Sequence, residues 1–324
     1  MKSEIKQSTV VKQKAYAKIN SFLSVTERRE NGYHTILSHM QGVTLCDFIE
    51  VRRISQTNAC GMLTTTAEIP VKLICDQPGI PTGEKNLAVR AARSYFSALS
   101  EHTCPKADSI EIYLEKKIPL AAGLAGGSAD AAAVLKALNR LYGDKFSLTE
   151  LCEIGAGIGA DVPFCLRAEA GAQTARGIGE LLEKAPDIPS AWYLVLACSG
   201  NGVSTPAAYA ALDRSGLDEK EAIEERYMRF EKAIAEGNEL EFEKNSYNVF
   251  EAIVAQDQAT PEILCRRMRK GGAIAARMSG SGPTVVGFFK EEKLARQVAE
   301  ILLEEHIFAV VCRPLSKVTA AQEE

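Results

Sequence analysis

Alternating apolar and polar positions predict several β-strands in the first half of the chain. Residues 109–115 alternate without a break, so that three branched apolar side chains fall on one face. Residues 47–51 predict another strand, and an Asn31-Gly32 pair predicts a tight turn before a returning strand. A longer run at 14–25 has two faces, with Tyr16, Lys18, Asn20 and Phe22 on one and Ala17, Ile19, Ser21, Leu23 and Val25 on the other.

Helices are indicated by caps and stop signals around apolar stripes. Asn86 is placed to cap a helix over 86–96, and Ser128 is placed to cap an alanine-rich helix. Gly143 ends the second of these helices. Residues 147–150 read Ser-Leu-Thr-Glu, the capping-box pattern that begins a further short helix.

A length of 324 residues exceeds what one hydrophobic core usually fills, so two domains are expected. The composition shifts to a turn around Pro186 and Pro189, which places the boundary between domains 1–185 and 186–324. The second half predicts strand 192–197, helices 218–236 and 240–255, a strand, loop and strand over 273–289, helix 291–304 and strand 307–312.

Charge and cysteine content exclude several functional classes. A net charge of −4 argues against broad binding of nucleic acid or of a membrane surface. Nine cysteines include no C-x-x-C pair, so neither a disulfide framework nor a zinc site is indicated, and a reducing cytosol is expected. The first residues lack the apolar core of a secretory signal, and no apolar run is long enough to span a membrane.

A glycine-rich loop at 119–127 stands between a predicted strand and a predicted helix. Gly123, Gly126 and Gly127 leave backbone N–H groups and the positive end of the helix dipole open to a phosphate. The loop lacks the Lys-Ser/Thr pair of a Walker A motif and the glycine order of dinucleotide folds, and the chain lacks protein-kinase triplets. The alternative is that the small residues only allow close helix packing.

Two polar residues stand out in apolar surroundings. Lys18 either points into water or contributes a cation to a site. Asp161, predicted at the start of an apolar strand, is either a cap or a base. If Lys18 and Asp161 lie together near the glycine loop, the site has a cation, a base and a phosphate-binding loop. Direct phosphoryl transfer to an alcohol requires these three groups. A second glycine loop at 278–283 is either a hairpin turn or a second set of N–H donors.

Four ordered motifs resemble those of one kinase superfamily. They are AYAKINSFLSV with ENGYH, PLAAGLAGGSADAA, GADVPF and RMSGSGP, within residues 15–311. The chain is similar in these motifs to the small-molecule kinases of the galactokinase, homoserine kinase, mevalonate kinase and phosphomevalonate kinase superfamily. Within it, the motifs most resemble those of members acting on a cytidine-diphosphate-linked methylerythritol.

The resemblance implies a fold and a reaction. The fold would be α+β, with an N-terminal domain like the second domain of ribosomal protein S5, a ferredoxin-like C-terminal domain and the active site in the cleft between them. The reaction would transfer the ATP γ-phosphoryl group to the 2-hydroxyl of that substrate in the non-mevalonate isoprenoid route. Asp161 would be the base and Lys18 the positioning cation. The protein would be a cytoplasmic monomer or weak homodimer.

The resemblance also implies the binding residues, with Mg²⁺ accompanying ATP and Ser128 reaching the phosphates or the ion. The ATP side would comprise Asn86, Pro119, Ala121, Ala122, Gly123, Leu124, Ala125, Gly126, Gly127, Ser128 and Ala129. The substrate side would comprise Asn20, Tyr33, His34, Thr205, Pro206, Tyr209, Gly280 and Gly282, with the aromatic residues around cytosine.

Two residues of the loop region need an explanation. Ala125 stands where the superfamily often has glycine, and a negative φ is expected there. Asp130, in the first turn of the helix, would compete with phosphate unless it faces Mg²⁺ or solvent. Two rival functions stay open, a related kinase for mevalonate or homoserine and a non-catalytic binder of nucleotide or RNA.

Overall fold

The computed structural model describes residues 7–55, 69–100, 108–198, 202, 204–215, 220–257 and 260–316. Helices and strands alternate irregularly along these residues, as in the α+β class. The strands are β1 (Gln7–Arg28), β2 (His34–Ser55), β3 (Val71–Cys75), β4 (Asp108–Glu115), β5 (Gln173–Arg176), β6 (Leu181–Lys184), β7 (Tyr193–Cys198), β8 (Tyr247–Asn248), β9 (Ala275–Met278), β10 (Val285–Phe289) and β11 (Phe308–Cys312).

The helices are shorter than a membrane requires. They are α1 (Leu87–Ser100), α2 (Gly126–Leu141), α3 (Leu148–Ala156), α4 (Val162–Arg167), α5 (Thr205–Ser215), α6 (Lys220–Glu236), α7 (Glu239–Asn245), α8 (Phe250–Asp257), α9 (Thr260–Lys270) and α10 (Glu292–Glu304). Within the described residues, every helix is too short or too polar to cross a bilayer.

The chain divides into two compact units that are not contiguous in sequence. The first unit comprises residues 1–16, 46–118 and 126–166, and the second comprises 17–45, 119–125 and 167–324. Strands β1 and β2 therefore each contribute residues to both units.

The first unit contains a sheet covered by helices. The later half of β2 pairs with β4 in antiparallel register, Phe48 opposite Glu115, and β4 pairs with β3 in parallel. The three apolar residues of β4, at 110, 112 and 114, are all buried, which confirms the predicted alternation. Residues 47–51 are extended as predicted, but they are not a separate strand, because β2 runs from His34 to Ser55 without interruption. Pairing with β4 keeps this long strand extended.

Helix termini in this unit follow local sequence signals only in part. Ser147 and Glu150 form the predicted capping box, and Gly143 follows α2 with a φ of 83°. The prediction that Ser128 caps α2 is wrong, because α2 already begins at Gly126. The segment after Asp161 is also not a strand but the short helix α4. Its second residue is a proline, which the first turn of a helix accepts because the missing N–H needs no partner there.

The second unit contains a four-stranded antiparallel sheet of order β11-β7-β10-β9. Taken in chain order, these strands lie 4-1-3-2 across the sheet. Helices α9 and α10 contribute apolar side chains to the same hydrophobic core as β7 and β10, including Leu264, Met268, Val298 and Leu302. The predicted strand, loop and strand over 273–289 is confirmed by the β9–β10 pairing.

The second unit also holds the later part of β1 and the first part of β2. Residues of β2 pair with β5, which pairs with β6, and β1 pairs in parallel with β8, Phe22 opposite Tyr247. The predicted continuous helix over 240–255 is wrong, because β8 interrupts it between α7 and α8. The side chain of Asn248 in β8 donates hydrogen bonds to two backbone carbonyls of the 278–280 segment, and these tertiary contacts favour the break.

Candidate active site

The glycine loop at 119–125 makes its turns through left-handed backbone conformations. Gly123 has a φ of 77°, and two alanines adopt positive values as well, 49° at Ala121 and 56° at Ala125. The expectation of a negative φ at Ala125 is therefore wrong. The carbonyl of Leu124 accepts a hydrogen bond from the Lys18 backbone N–H at 3.1 Å, and α2 begins two residues later.

The second glycine loop lies directly on the first. The hydroxyl of Ser279 donates to the Gly123 carbonyl at 3.0 Å and accepts from the Asn20 backbone N–H at 3.1 Å. Gly280 also lies against the first glycine loop, because a β-carbon on Gly280 would lie 3.2 Å from the Gly123 carbonyl oxygen. The 278–283 segment is therefore both a hairpin connection and a neighbour of the first glycine loop. Gly280 and Gly282 have φ values of 58° and 82°.

Two residues that the sequence analysis missed anchor this second loop. Asn248 Nδ2 donates to the carbonyls of Met278 and Gly280 at 2.6 Å and 2.9 Å, while its Oδ1 accepts from the Phe250 N–H. Glu251 Oε1 accepts from the Met278 N–H at 2.7 Å. Burial raises the pKa of Glu251, against the opposing charge of Arg277. No motif signalled these residues, because their role depends on backbone atoms about 30 positions away.

Lys18 and Asn20 lie together in the buried part of β1. Lys18 Nζ donates to Asn20 Oδ1 at 2.7 Å, and Asn20 Nδ2 donates to the Ser38 hydroxyl at 2.7 Å. Lys18 is 5% exposed, so the alternative that it points into water is excluded. A lysine ammonium removed from water requires polar partners, and the amide of Asn20 is one of them.

The starts of α1 and α2 lie next to each other in the first unit. Asn86 Oδ1 accepts from the Ala88 N–H at 2.9 Å, so Asn86 caps α1 as predicted. A β-carbon on Gly127 would lie 3.4 Å from the Leu87 side chain at the start of that helix. Gly127 is exposed in the first turn of α2, where the N–H groups have no partner within the helix.

Asp161 belongs to the same part of the first unit. It immediately precedes α4, and its carbonyl accepts from the Cys165 N–H at 3.0 Å. Two residues earlier, a β-carbon on Gly159 would lie 3.8 Å from the Ser128 hydroxyl oxygen in the first turn of α2. The structure thus brings the Asp161 segment, Ser128 and Gly127 together within one compact unit. Lys18 and Asn20 belong to the other unit.

A buried charge cluster adjoins the start of α2. Lys116 Nζ forms ion pairs with Asp47 and with Asp130, the latter at 2.8 Å. Burial raises the pKa of Asp130 to about 7, although the Lys116 charge opposes the rise. Asp130 therefore faces a lysine, not solvent, which corrects the expectation from sequence. Among the described residues, no group of three or more histidine, cysteine and acidic side chains is arranged to hold a metal ion.

The predicted substrate residues of the second unit form two small clusters. His34 stacks on Tyr209 with ring centroids 4.8 Å apart and approaches Asp213 Oδ1 at 2.7 Å through Nε2. Tyr33 beside it is 59% exposed. In the other cluster the Thr205 and Ser281 hydroxyls lie 3.0 Å apart, with Pro206 next in the first turn of α5. Asp213 and Ser281 were not singled out from the sequence.

Two family models match the chain. The model described as "GHMP kinases N terminal domain" matches residues 86–169, and the model described as "GHMP kinases C terminal" matches residues 220–307. The first match contains the cap of α1, the glycine loop and Asp161. The second contains Asn248 and the second glycine loop.

Curated relatives match over nearly their whole length. A 4-diphosphocytidyl-2-C-methyl-D-erythritol kinase from Caldicellulosiruptor bescii is 40% identical over 305 residues, covering 93% of this chain and 98% of that protein. A kinase of the same name from Clostridium botulinum is 35% identical over 303 residues, covering 93% and 99%.

Solved structures agree with these relatives. A crystal structure of a 4-(cytidine 5'-diphospho)-2C-methyl-D-erythritol kinase is similar with a TM-score of 0.71 and 31% identity, covering 94% of this chain and 99% of that chain. A homoserine kinase from Cytophaga hutchinsonii has a TM-score of 0.69 at 17% identity, covering 98% of each chain, and shows a shared fold only. The chain is an ATP-dependent kinase. It belongs to the family of 4-diphosphocytidyl-2-C-methyl-D-erythritol kinases within the GHMP kinases.

Proposed function

We propose that the chain transfers the γ-phosphoryl group of ATP to the 2-hydroxyl of 4-diphosphocytidyl-2-C-methyl-D-erythritol, a step in isoprenoid precursor synthesis. The observation that carries the proposal is the link between Asn20 and Gly123 through the Ser279 hydroxyl. Asn20 is on the proposed substrate side and Gly123 is in the proposed ATP loop. One hydroxyl group therefore fixes a residue of each side, and the curated relatives carry the name of this kinase.

The ATP half of the site is proposed to consist of the glycine loop, the first turn of α2 and Asn86. Backbone N–H groups at a helix start, together with the helix dipole, favour phosphate binding, and the exposed Gly127 leaves room for it. These residues fit a triphosphate. Mg²⁺ would be held chiefly by the phosphates with the Ser128 hydroxyl, and when bound it would neutralise charge on the phosphate oxygens.

Asp161 and Lys18 are proposed to act on the hydroxyl group. As the alcohol oxygen forms its bond to the γ-phosphorus, the bond to the β-phosphate oxygen breaks and ADP leaves. The alcohol proton passes to the Asp161 carboxylate. Lys18, oriented by its hydrogen bond to Asn20, positions the hydroxyl and offsets the developing negative charge. A loose transition state transfers the proton late, so that a carboxylate is a sufficient base.

The substrate half is proposed to recognise cytosine by stacking and hydrogen bonding. Tyr33 is exposed, and the aromatic rings of His34 and Tyr209 are already stacked with each other. Asn20 would contact the methylerythritol group. The remaining proposed substrate residues are Thr205, Pro206, Gly280 and Gly282.

The fold type and the boundaries of each domain are also part of this proposal. The 4-1-3-2 strand order of the second sheet supports a ferredoxin-like C-terminal domain. We assign residues 1–185 to an ATP-binding domain similar to the second domain of ribosomal protein S5, and residues 186–324 to the substrate domain. The active site would lie in the cleft between them.

Replacement of the proposed base tests the mechanism. Asp161→Asn is expected to lower kcat at least about 100-fold, since a positioned base typically contributes that much. Asp144→Asn is the matched control, because Asp144 is exposed in the loop after α2 and asparagine tolerates its φ of 50°. It is expected to keep full activity. Retained turnover in Asp161→Asn, with an unchanged circular dichroism spectrum, would rule out the role of Asp161.

A substrate panel tests the proposed specificity. ATP consumption is measured with the cytidylated methylerythritol, with mevalonate and with homoserine. The proposal expects turnover with the first alone, and protection of the site by cytidine nucleotides. Turnover of mevalonate or homoserine would favour a related kinase, and ATP binding without any phosphoryl transfer would favour a non-catalytic binder.

A further inference from the structure

A buried ion pair joins the residues on either side of the glycine loop. Lys116 precedes the loop and Asp130 follows it, in the helix that the loop leads into. Lys116 Nζ donates to Asp130 Oδ2 at 2.8 Å, and the two side chains are only 2% and 5% exposed. Both residues lie in the first compact unit. The two stems of the loop are therefore fixed to each other.

Asp47 completes this connection from β2. It pairs with Lys116 Nζ, and its Oδ1 accepts hydrogen bonds from the backbone N–H groups of Lys117 at 2.5 Å and Ile118 at 2.8 Å. The Ile118 side chain in turn lies 3.1 Å from where a β-carbon on Gly126 would be. The stem before the loop is thus held by the sheet and packs against the first residue of α2.

Stability alone is a weak reason for such a cluster. Removing charges from water carries a large free-energy cost, and apolar side chains of similar volume often stabilise a protein at least as well. Among the residues that the structure describes, Asp130 Oδ1 also has no hydrogen-bond partner, although it is buried. What an ion pair adds over apolar packing is a fixed direction and distance between two points of the backbone.

We propose that Lys116 and Asp130 are positioning residues, which clamp the stems of the glycine loop and hold its N–H groups ready for ATP phosphate. The inference rests on the proposed ATP site. Neither side chain needs to touch the nucleotide. A loop ordered before the ligand arrives loses less conformational entropy on binding, so the clamp lowers the KM for ATP.

Asp130→Ala and Asp130→Asn test the clamp as a pair. Alanine removes the acceptor, whereas the asparagine amide oxygen still accepts from Lys116 Nζ. Lys116 also pairs with Asp47, so it is expected to keep a partner in both variants. The matched control is Asn139→Ala, at the far end of the same helix. Asn139 is also buried and bonds both backbone groups of Phe146, so its loss costs stability without touching the loop stems.

Hydrogen exchange without nucleotide is the first measurement. The amides of residues 120–127 are expected to exchange about tenfold faster in Asp130→Ala than in the wild type, and at wild-type rates in Asp130→Asn and Asn139→Ala. Steady-state kinetics are the second measurement. Asp130→Ala is expected to raise the KM for ATP about tenfold, with kcat and the KM for the alcohol within twofold, and Asp130→Asn is expected to restore it.

The outcomes separate this inference from the proposed function. Wild-type loop exchange and wild-type KM for ATP in a folded Asp130→Ala protein would overturn the clamp. So would an equal rise in KM for ATP in Asn139→Ala, since that would make the effect one of general stability. A wild-type protein that binds no ATP would overturn the proposed function instead, while the exchange of the loop amides would still report on the clamp.

Discussion

The backbone carbonyl oxygen of Ser279 occupies the position that a β-carbon on Gly123 would need. The two glycine loops therefore approach each other through a gap that only a residue without a side chain can provide. Gly123 also has a φ of 77°, which disfavours other residues independently of the space available.

Gly123→Ala and Gly32→Ala separate these two effects. Both glycines have a positive φ, 77° and 83°, but a β-carbon on Gly32 would meet no atom of the described part of the chain within 4 Å. Gly32→Ala is expected to cost about 1 kcal/mol in the free energy of unfolding, from backbone strain. Gly123→Ala is expected to cost about 2 kcal/mol more, because Ser279 must move. Urea unfolding measures both.

The kinetic parameters give a second comparison for this pair. Displacing Ser279 disturbs its hydrogen bonds to Gly123 and Asn20, so Gly123→Ala is expected to lower kcat/KM for ATP at least about tenfold. Gly32→Ala should leave the KM for ATP within twofold. Equal losses of stability in the two variants would show that the loops do not meet as described.

Ala125→Gly is expected to stabilise the protein by about 1 kcal/mol. The left-handed conformation of Ala125 costs about 1–2 kcal/mol for a residue with a side chain, and glycine relieves it at a smaller cost in unfolded-state entropy. Ala137→Gly, inside α2, is the control and is expected to lose about 1 kcal/mol. Thermal unfolding would contradict the observed φ if both substitutions proved equally harmful.

The sequence predicts those parts of the fold in which local preference and the environment agree. The alternation in β4, the capping box at Ser147 and the glycine after α2 are all satisfied within a few residues of the chain. Local sequence does not show whether residues 47–51 form a separate strand or continue β2. Pairing with β4, about 60 residues later in the chain, determines that β2 continues. The break between α7 and α8 likewise depends on Asn248 and a loop about 30 residues later.

The candidate site also combines residues that the local sequence reveals with residues that only the fold brings together. The glycine loop, Lys18 and Asp161 carry signals in residue type and spacing. Asp130 carries a misleading signal. The sequence places it in the first turn of a helix, where an acid indicates a dipole interaction or a metal ligand. In the structure it is the fifth residue of α2, and its partner is Lys116, which precedes the glycine loop. Asp213 gives no signal at all, since only the fold brings its helix to His34.

His39 is expected to make stability fall as the pH decreases. Its ring is fully buried, with Nδ1 against the Ser21 hydroxyl at 2.7 Å and Nε2 donating to the Pro186 carbonyl at 2.9 Å. Burial lowers the pKa of His39 from 6.5 to about 4. The unfolded chain therefore binds a proton between pH 6.5 and 4 that the folded chain does not. Stability is full above pH 6.5 and falls by up to about 3 kcal/mol as the pH approaches 4.

Urea unfolding at several pH values checks this dependence. His39→Gln is expected to flatten the fall between pH 6.5 and 4 relative to the wild type, since glutamine does not titrate. Ser21→Ala serves as the control, because it removes a hydrogen bond but keeps the buried imidazole. It is expected to lower stability at every pH with the same slope. An equally steep fall in His39→Gln would assign the dependence to other groups.

Asp213→Ala is expected to weaken binding of the cytidylated substrate and to leave ATP binding unchanged. Asp213 lies one helical turn after Tyr209 in α5, so that one residue stacks on the His34 ring while the other accepts its Nε2–H. A hydrogen bond to a charged group contributes about 1.5–3 kcal/mol, and losing it should raise the KM for the substrate at least about tenfold.

Asp213→Asn keeps an acceptor oxygen and is expected to restore most of the affinity. Arg214→Ala, at the exposed neighbouring position, controls for changes in the helix. A rise in the KM for ATP in Asp213→Ala, or an equal effect in Arg214→Ala, would show that Asp213 supports the helix and does not orient His34.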